Sequence, residues 1–177
     1  MSQTVISASG QAIGVAGQIF DNAEVQDTIS GFSEEVSAEI AFGTGVVHGT
    51  NDQGVLIPTL ITDKTMGVVV WGMNHQVGAN GDLGTTGLKP KAGLQVMRKG
   101  RVLVQLDVGV VSVTPYTDRA FLRFAASGGN TVLGRWGKST DAGNIDLTAA
   151  AVFVSSIQTF PDGTKGAVLE VDFTNKP

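Results

Sequence analysis

The residue types best suited to catalysis or metal binding are few and widely spaced in this chain. His48 and His75 are its two histidines, and neither stands in a His-x-His or His-Glu-x-x-His spacing that would close around a metal ion. Cysteine is absent, which excludes a thiolate site. A serine–histidine–acid triad assembled in space stays open, but no Gly-x-Ser-x-Gly elbow occurs, and Ser127-Gly128-Gly129 is better interpreted as a turn. We therefore predict no catalytic residue, no metal, no cofactor and no enzymatic activity.

Two polar stretches resemble ligand-binding loops only in composition. The glycine-rich segment 78–84 is followed by neither a helical run nor a Lys-Ser/Thr pair, both of which a phosphate cradle needs. Asn51 and Asp52 offer oxygen ligands without a twelve-residue calcium loop and its closing glutamate. We interpret residues 74–87 as a surface loop that points outward or contacts a partner.

Three aromatic residues offer an alternative function. Trp71, Trp136 and Tyr116 would suit a sugar-stacking platform in a carbohydrate-binding accessory domain. Their positions in or near strand-like runs favour packing in a core or interface instead.

Composition indicates a single all-β domain. Glycine supplies 24 of 177 residues, roughly twice the usual share of about 7%. Charged residues make up 16%, well below the usual quarter or so, which leaves little for exposed helical surfaces. The net charge of -4 argues against nucleic acid as a partner, and no run approaches the ~20 apolar residues of a membrane helix.

The most clearly punctuated element is the stretch from Ile40 to Pro58. We predict a strand at Gly45–His48, a polar turn, and a second strand at Val55–Ile57. The β-branched run Met66–Trp71 is typical of a strand buried on both faces. For residues 33–40 a strand or loop is favoured over a short helix capped by Ser33.

Further strand-like runs continue to residue 173. Lys99-Gly100 is interpreted as a tight turn between strands at 94–98 and 101–106, and residues 109–113 as another strand. Ser127 to Asn130 marks a turn. Roughly nine short strands predict a β-sandwich or barrel formed by residues 31–177.

Residues 1–30 are predicted to form an extended N-terminal arm. Most of its residues are small or polar, but four are apolar and would lose hydrophobic stabilisation if left in water: Ile13, Val15, Ile19 and Phe20. We expect these four side chains to dock on the domain itself or on a neighbouring subunit.

The order of these elements resembles the structural cement, or capsid decoration, proteins of tailed bacteriophages. The likeness rests on Ile40-Ala-Phe-Gly-Thr-Gly-Val-Val-His-Gly-Thr, the Val55-Leu-Ile-Pro strand and Met66-Gly-Val-Val-Val. It extends upstream to Gly14-Val-Ala-Gly-Gln-Ile-Phe-Asp and downstream to Val96-Met-Arg-Lys-Gly-Arg-Val-Leu-Val and Gly166-Ala-Val-Leu-Glu-Val. Ala41 departs from the proline usual in that family.

The resemblance implies a jelly-roll-like β domain without catalytic residues. It implies a homo-oligomer, a homodimer or homotrimer, on the outer surface of the virion that staples major capsid protein subunits together. The alternative is a non-catalytic β-sandwich binding module of a phage tail. Because the N-terminal residues lack a signal-peptide pattern and the chain lacks cysteine, we expect synthesis in the host cytoplasm. The four apolar arm residues then become the expected capsid or oligomer interface.

Overall fold

A computed structural model of the chain describes residues 16–20, 26–71, 87–160 and 163–174. Within these ranges there are thirteen β-strands and no helix, which confirms the all-β prediction. In chain order the strands are β1 Asp27–Ser33, β2 Ile40–Ala41, β3 Gly45–His48, β4 Gly54–Leu56, β5 Thr65–Val70, β6 Gly87–Leu88, β7 Gly93–Gln105, β8 Phe121–Arg123, β9 Trp136–Gly137, β10 Asn144–Asp146, β11 Ala151–Phe153, β12 Gln158–Thr159 and β13 Lys165–Asp172.

Five strands close into a ring in the order β1-β4-β3-β5-β7, and β7 pairs back onto β1. All neighbours are antiparallel except β1 and β4, which run parallel for two residues. Because side chains alternate between the two faces of a strand, every ring strand contributes apolar residues to one inner cluster. That cluster contains Val46, Val55, Val69, Leu94 and Val96, with Ile29 packed against it.

Strand β7 is the longest element and corrects one prediction. Lys99-Gly100 is not a turn between two strands, because Gly100 lies inside the continuous strand Gly93–Gln105. Its φ of 132° is open to glycine and lets the strand bend there without ending. Beyond the bend β7 pairs with β13, and the ion pairs Lys99–Asp172 and Arg101–Glu170, each at 2.8 Å, join residues in direct register.

A second, three-stranded sheet of order β10-β8-β9 packs on the outer face of the ring. At the contact, a Cβ at position 45 would lie 2.8 Å from Cζ2 of Trp136 and would also overlap Leu122, so only glycine allows this close approach. The larger apolar cluster of the molecule fills this interface and includes Val68, Met97 and Phe153.

Among the other predicted strands and turns, several are confirmed and one is wrong. The hairpin of Gly45–His48 and Gly54–Leu56 is confirmed, and so are the strand that begins at Thr65 and the loop character of residues 34–39. The turn at Ser127–Asn130 is confirmed by two reciprocal main-chain hydrogen bonds of 3.1 and 2.9 Å. The strand predicted at residues 109–113 is wrong: a turn at residues 108–109 leads into irregular chain, Val111 is 77% exposed, and no strand pairs with the segment among the described residues.

Candidate functional site

Of the predicted arm, the structure describes residues 16–20 and residues 26–30, and residues 27–30 belong to β1. Residues 16–20 are held to the domain by main-chain hydrogen bonds. Gly17 N–H donates to the carbonyl of Leu103 at 2.7 Å, and Leu103 N–H donates to Gln18 at 2.9 Å. Gly17 also accepts from Trp71 N–H at 2.8 Å, and Phe20 N–H donates to residue 101 at 3.0 Å. This short stretch, which we call the arm root, therefore extends the sheet beside β7.

Two of the four predicted interface residues, Ile19 and Phe20, lie in the arm root and differ in their environments. Ile19 is partly buried, forms an isolated bridge with Val102 and packs against the large core cluster. Phe20 follows it with its side chain 52% exposed. Ile13 and Val15 lie outside the described residues. Ile19 therefore contacts this chain's own core, while Phe20 presents an aromatic surface to solvent.

Further large apolar side chains are exposed on loops and escaped the sequence analysis. Leu60 and Ile61, 59% and 63% exposed, stand side by side on a turn whose main-chain N–H groups at residues 59 and 60 donate to Asp63 at 2.8 Å. Val36 is 81% exposed and Val108 is 68% exposed. Single exposed apolar residues such as Val36 and Val108 are common on soluble proteins. The adjacent apolar pair inside a polar loop was the signal available in the sequence.

Glu34 clasps the polar turn between β3 and β4. Its carboxylate accepts hydrogen bonds from the main-chain N–H groups of Thr50 at 2.9 Å and Asn51 at 2.7 Å, and from both side chains. These bonds, the main-chain donation of Thr50 foremost, lower the pKa of Glu34 from 4.5 to about 2. The carboxylate thereby fixes the turn within the hairpin.

A buried ion cluster supports the second sheet. The Arg123 guanidinium is 1% exposed and contacts Asp107 and Asp141, each at 2.8 Å. Burial alone would lower the pKa of Arg123, but its hydrogen bonds to the two carboxylates outweigh this and raise it. The same contact with Arg123 lowers the pKa of Asp141. The cluster joins the segment after β7 to β8 and to the loop before β10, which is a structural role.

The remaining sequence candidates do not assemble into a chemical site. His48 is exposed on β3, and His75 lies outside the described residues, as does the predicted loop 74–87 apart from Gly87 in β6. Trp136 is fully buried and donates its indole N–H to the carbonyl of Gly43 at 3.0 Å, so it is removed from the proposed sugar platform. Trp71 and Tyr116 are 40% and 66% exposed.

The described ranges contain neither a candidate metal site nor a candidate membrane-spanning helix. Residues 16–20, 26–71, 87–160 and 163–174 contain no group of three or more His, Asp or Glu side chains placed to hold a metal ion. The same ranges contain no helix long and apolar enough to span a membrane.

Comparison with known proteins identifies the family. The family model described as "Structural cement protein (E217 gp24/Pam3 gp6)" matches residues 2–174. Among solved structures, a chain from the capsid of Myoviridae Phage XM1 shares the fold with a TM-score of 0.63 at 15% identity, over 97% of each chain. No curated protein matches. The family is structural and not enzymatic, and the chain belongs to the structural cement proteins of phage capsids.

Proposed function

We propose that this chain binds the outer face of a phage head as a homo-oligomer and stabilises it by bridging major capsid protein subunits. The observation that carries the proposal is the family match over residues 2–174. We assign it the major capsid protein and itself as partners, with neither nucleic acid nor membrane involved. The net charge of -4 supports the exclusion of a phosphate backbone.

Bridging follows from the way in which modest contacts combine. When two binding surfaces are joined in one rigid body, the second contact forms at a high effective concentration, and the whole can bind about 10²–10⁴ times more tightly than either contact alone. The closed ring and the packed second sheet supply that rigid body. An oligomer multiplies the contacts again.

We retain Ile13, Val15, Ile19 and Phe20 as the proposed capsid or oligomer contacts. The arm root supports this choice, because its main-chain hydrogen bonds to β7 hold Phe20 at a defined place with about half of its surface exposed. Aromatic side chains at such positions are frequent anchors of protein interfaces. Ile19 fixes the arm root to the core and thereby positions its neighbour.

Deletion of residues 1–15 tests the arm. The deletion removes Ile13 and Val15 but keeps the main-chain hydrogen bonds that join the arm root to β7 and Trp71, so the domain should fold as before. We expect lower occupancy on capsids stripped of cement protein, measured by co-sedimentation, with circular dichroism as the control for folding. Full occupancy by the shortened chain would contradict the proposed role of these two residues.

The alternative of a phage tail module or carbohydrate-binding domain relied on three aromatic residues, and one of them, Trp136, is buried in the core. A glycan-binding screen with the intact chain separates it from the capsid role. Binding that depends on Trp71 and Tyr116, without binding to capsids, would favour the alternative.

A further inference from the structure

One edge of β1 pairs with β7 along its length, whereas the other edge is only partly paired among the residues that the structure describes. Phe32 donates its N–H to the carbonyl of Gln53 at 3.1 Å, on the side that faces away from β7. Because main-chain groups of alternate residues in a strand point to the same edge, those of Ser30 and Thr28 point the same way. Strand β4, which occupies this edge, pairs only with Phe32 and Ser33.

The edge at Thr28 and Ser30 is therefore open. Within residues 16–20, 26–71, 87–160 and 163–174, no strand pairs with it and no main-chain hydrogen bond to it occurs. Both side chains are exposed on the outer face. Natural proteins usually protect such edges with lysine, proline or a covering loop, because an open edge accepts a further strand. The segment Asp27–Ser33 contains neither lysine nor proline.

We propose that this edge pairs with the same edge of a second copy of the chain. In the antiparallel register that places Thr28 opposite Ser30 of the second copy, the two-fold axis passes midway between the Ile29 residues of the two copies. Both open residues of each copy then face a hydrogen-bonding partner, and four main-chain hydrogen bonds form. The two rings become one continuous sheet.

One feature of β1 excludes a neighbouring register, and a second is compatible with the proposed one. A shift of two residues in one direction would require the N–H of Phe32, which Gln53 already occupies. The favoured register places Asp27 opposite Gly31 of the second copy, so no like charges meet across the pair. Asp27 also forms an ion pair within its own chain, with Arg98 at 3.4 Å.

The inference rests on the self-association in the proposed function and specifies where it occurs. A ladder of four hydrogen bonds sets the register and symmetry of the pair, and exposed side chains beside it, such as Phe32 at 38%, add apolar area. A two-fold pair on a capsid would present two identical capsid-binding surfaces, which is the geometry that bridging needs.

Substitution of Ser30 tests the edge. Ser30→Pro removes a main-chain N–H that has no partner within the described part of the chain, and proline is tolerated at such an edge position. We expect the dissociation constant of the pair to rise at least about tenfold, because two intermolecular hydrogen bonds are lost. Ser30→Ala keeps the N–H and should leave the constant unchanged. Sedimentation equilibrium of the intact chain gives the measurement.

The double variant Thr28→Lys/Ser30→Lys provides a second test that spares the backbone. It places lysine opposite lysine across the pair on two exposed positions and should also prevent association. If both variants stay as associated as the parent chain while the parent decorates capsids, the edge inference is overturned and the proposed function stands. A parent chain that is monomeric both free and on capsids would overturn the edge inference and the proposed self-association together.

Discussion

Trp136 and Phe20 are both aromatic, yet the structure uses them in opposite ways. Trp136 is fully buried between the second sheet and the ring, against Gly45, and its indole N–H is bonded to Gly43. Phe20 lies on the arm root and keeps 52% of its surface exposed. The hydrogen bonds that hold Phe20 in place come from the main chain and leave its side chain without a core position.

Trp136 therefore supports the fold, whereas Phe20 is available for contact with a partner protein. We call the packing of Trp136 between the second sheet and the ring the joint. At the joint the indole N–H is paired with Gly43 and no space is left beside Gly45, so a partner protein has no access to Trp136. In the arm root, main-chain groups are hydrogen-bonded to β7 and Trp71, and the Phe20 ring is half exposed to solvent. Substitutions at the joint should therefore affect folding, whereas substitutions at the arm root should affect capsid binding.

Trp136→Ala should have the largest effect on stability. Loss of a fully buried tryptophan leaves a cavity and an unpaired carbonyl at Gly43, and we expect the free energy of unfolding to fall by about 3–5 kcal/mol. Chemical denaturation measures it. Trp71→Ala, at a residue 40% exposed, serves as the matched control and should cost clearly less. Equal costs would show that the second sheet does not depend on the joint.

Phe20→Ser should produce the opposite pattern. Since the side chain is half exposed, the free energy of unfolding should change by less than about 1 kcal/mol, while affinity for capsids falls about tenfold, as for an interface anchor worth roughly 1.4 kcal/mol. Co-sedimentation with stripped capsids measures the affinity. Leu60→Ser, also at an exposed apolar residue, is the control. Equal losses of affinity in both variants would remove the special role of Phe20.

The smallest effect should come from the Glu34 clasp and should depend on pH. The pKa of Glu34 is lowered from 4.5 to about 2, so its stabilisation is present above pH 4.5 and is lost as the pH falls through about 2. The difference in unfolding midpoint between the parent and Glu34→Gln should therefore be largest above about pH 5 and vanish near pH 2.

Comparison of the two proteins is needed because Asp172 has its pKa lowered to about 2 as well, chiefly by Lys99, and titrates in the same range in both. A difference that did not change with pH would mean that the charge of Glu34 does not hold the turn. Capsid binding at neutral pH should be equal in the two proteins.

The sequence predicted those elements whose signals are local. The strand at Gly45–His48 and the turn at Ser127–Asn130 each carry their own apolar run or turn residues, and both are confirmed. Lys99-Gly100 misled because glycine after a charged residue is typical of a tight turn. Whether such a glycine turns or bends a strand depends on the partners beside it, here β13.

Features that depend on neighbouring strands could not be predicted from the sequence. The valines of residues 109–113 have strand propensity, but no neighbouring strand is available to them among the described residues. The open edge at Thr28 and Ser30 depends on how far β4 follows β1, which no local pattern encodes. The alternation of Ile29 with these polar residues could have identified the strand itself.

Electron cryomicroscopy of intact virions tests the central claim most directly. We predict that this chain appears on the outer face of the head in symmetric copies, with each oligomer touching at least two major capsid protein subunits and Phe20 at a contact. Density for the chain in the tail or inside the head, or oligomers that each touch one capsid subunit alone, would contradict the account.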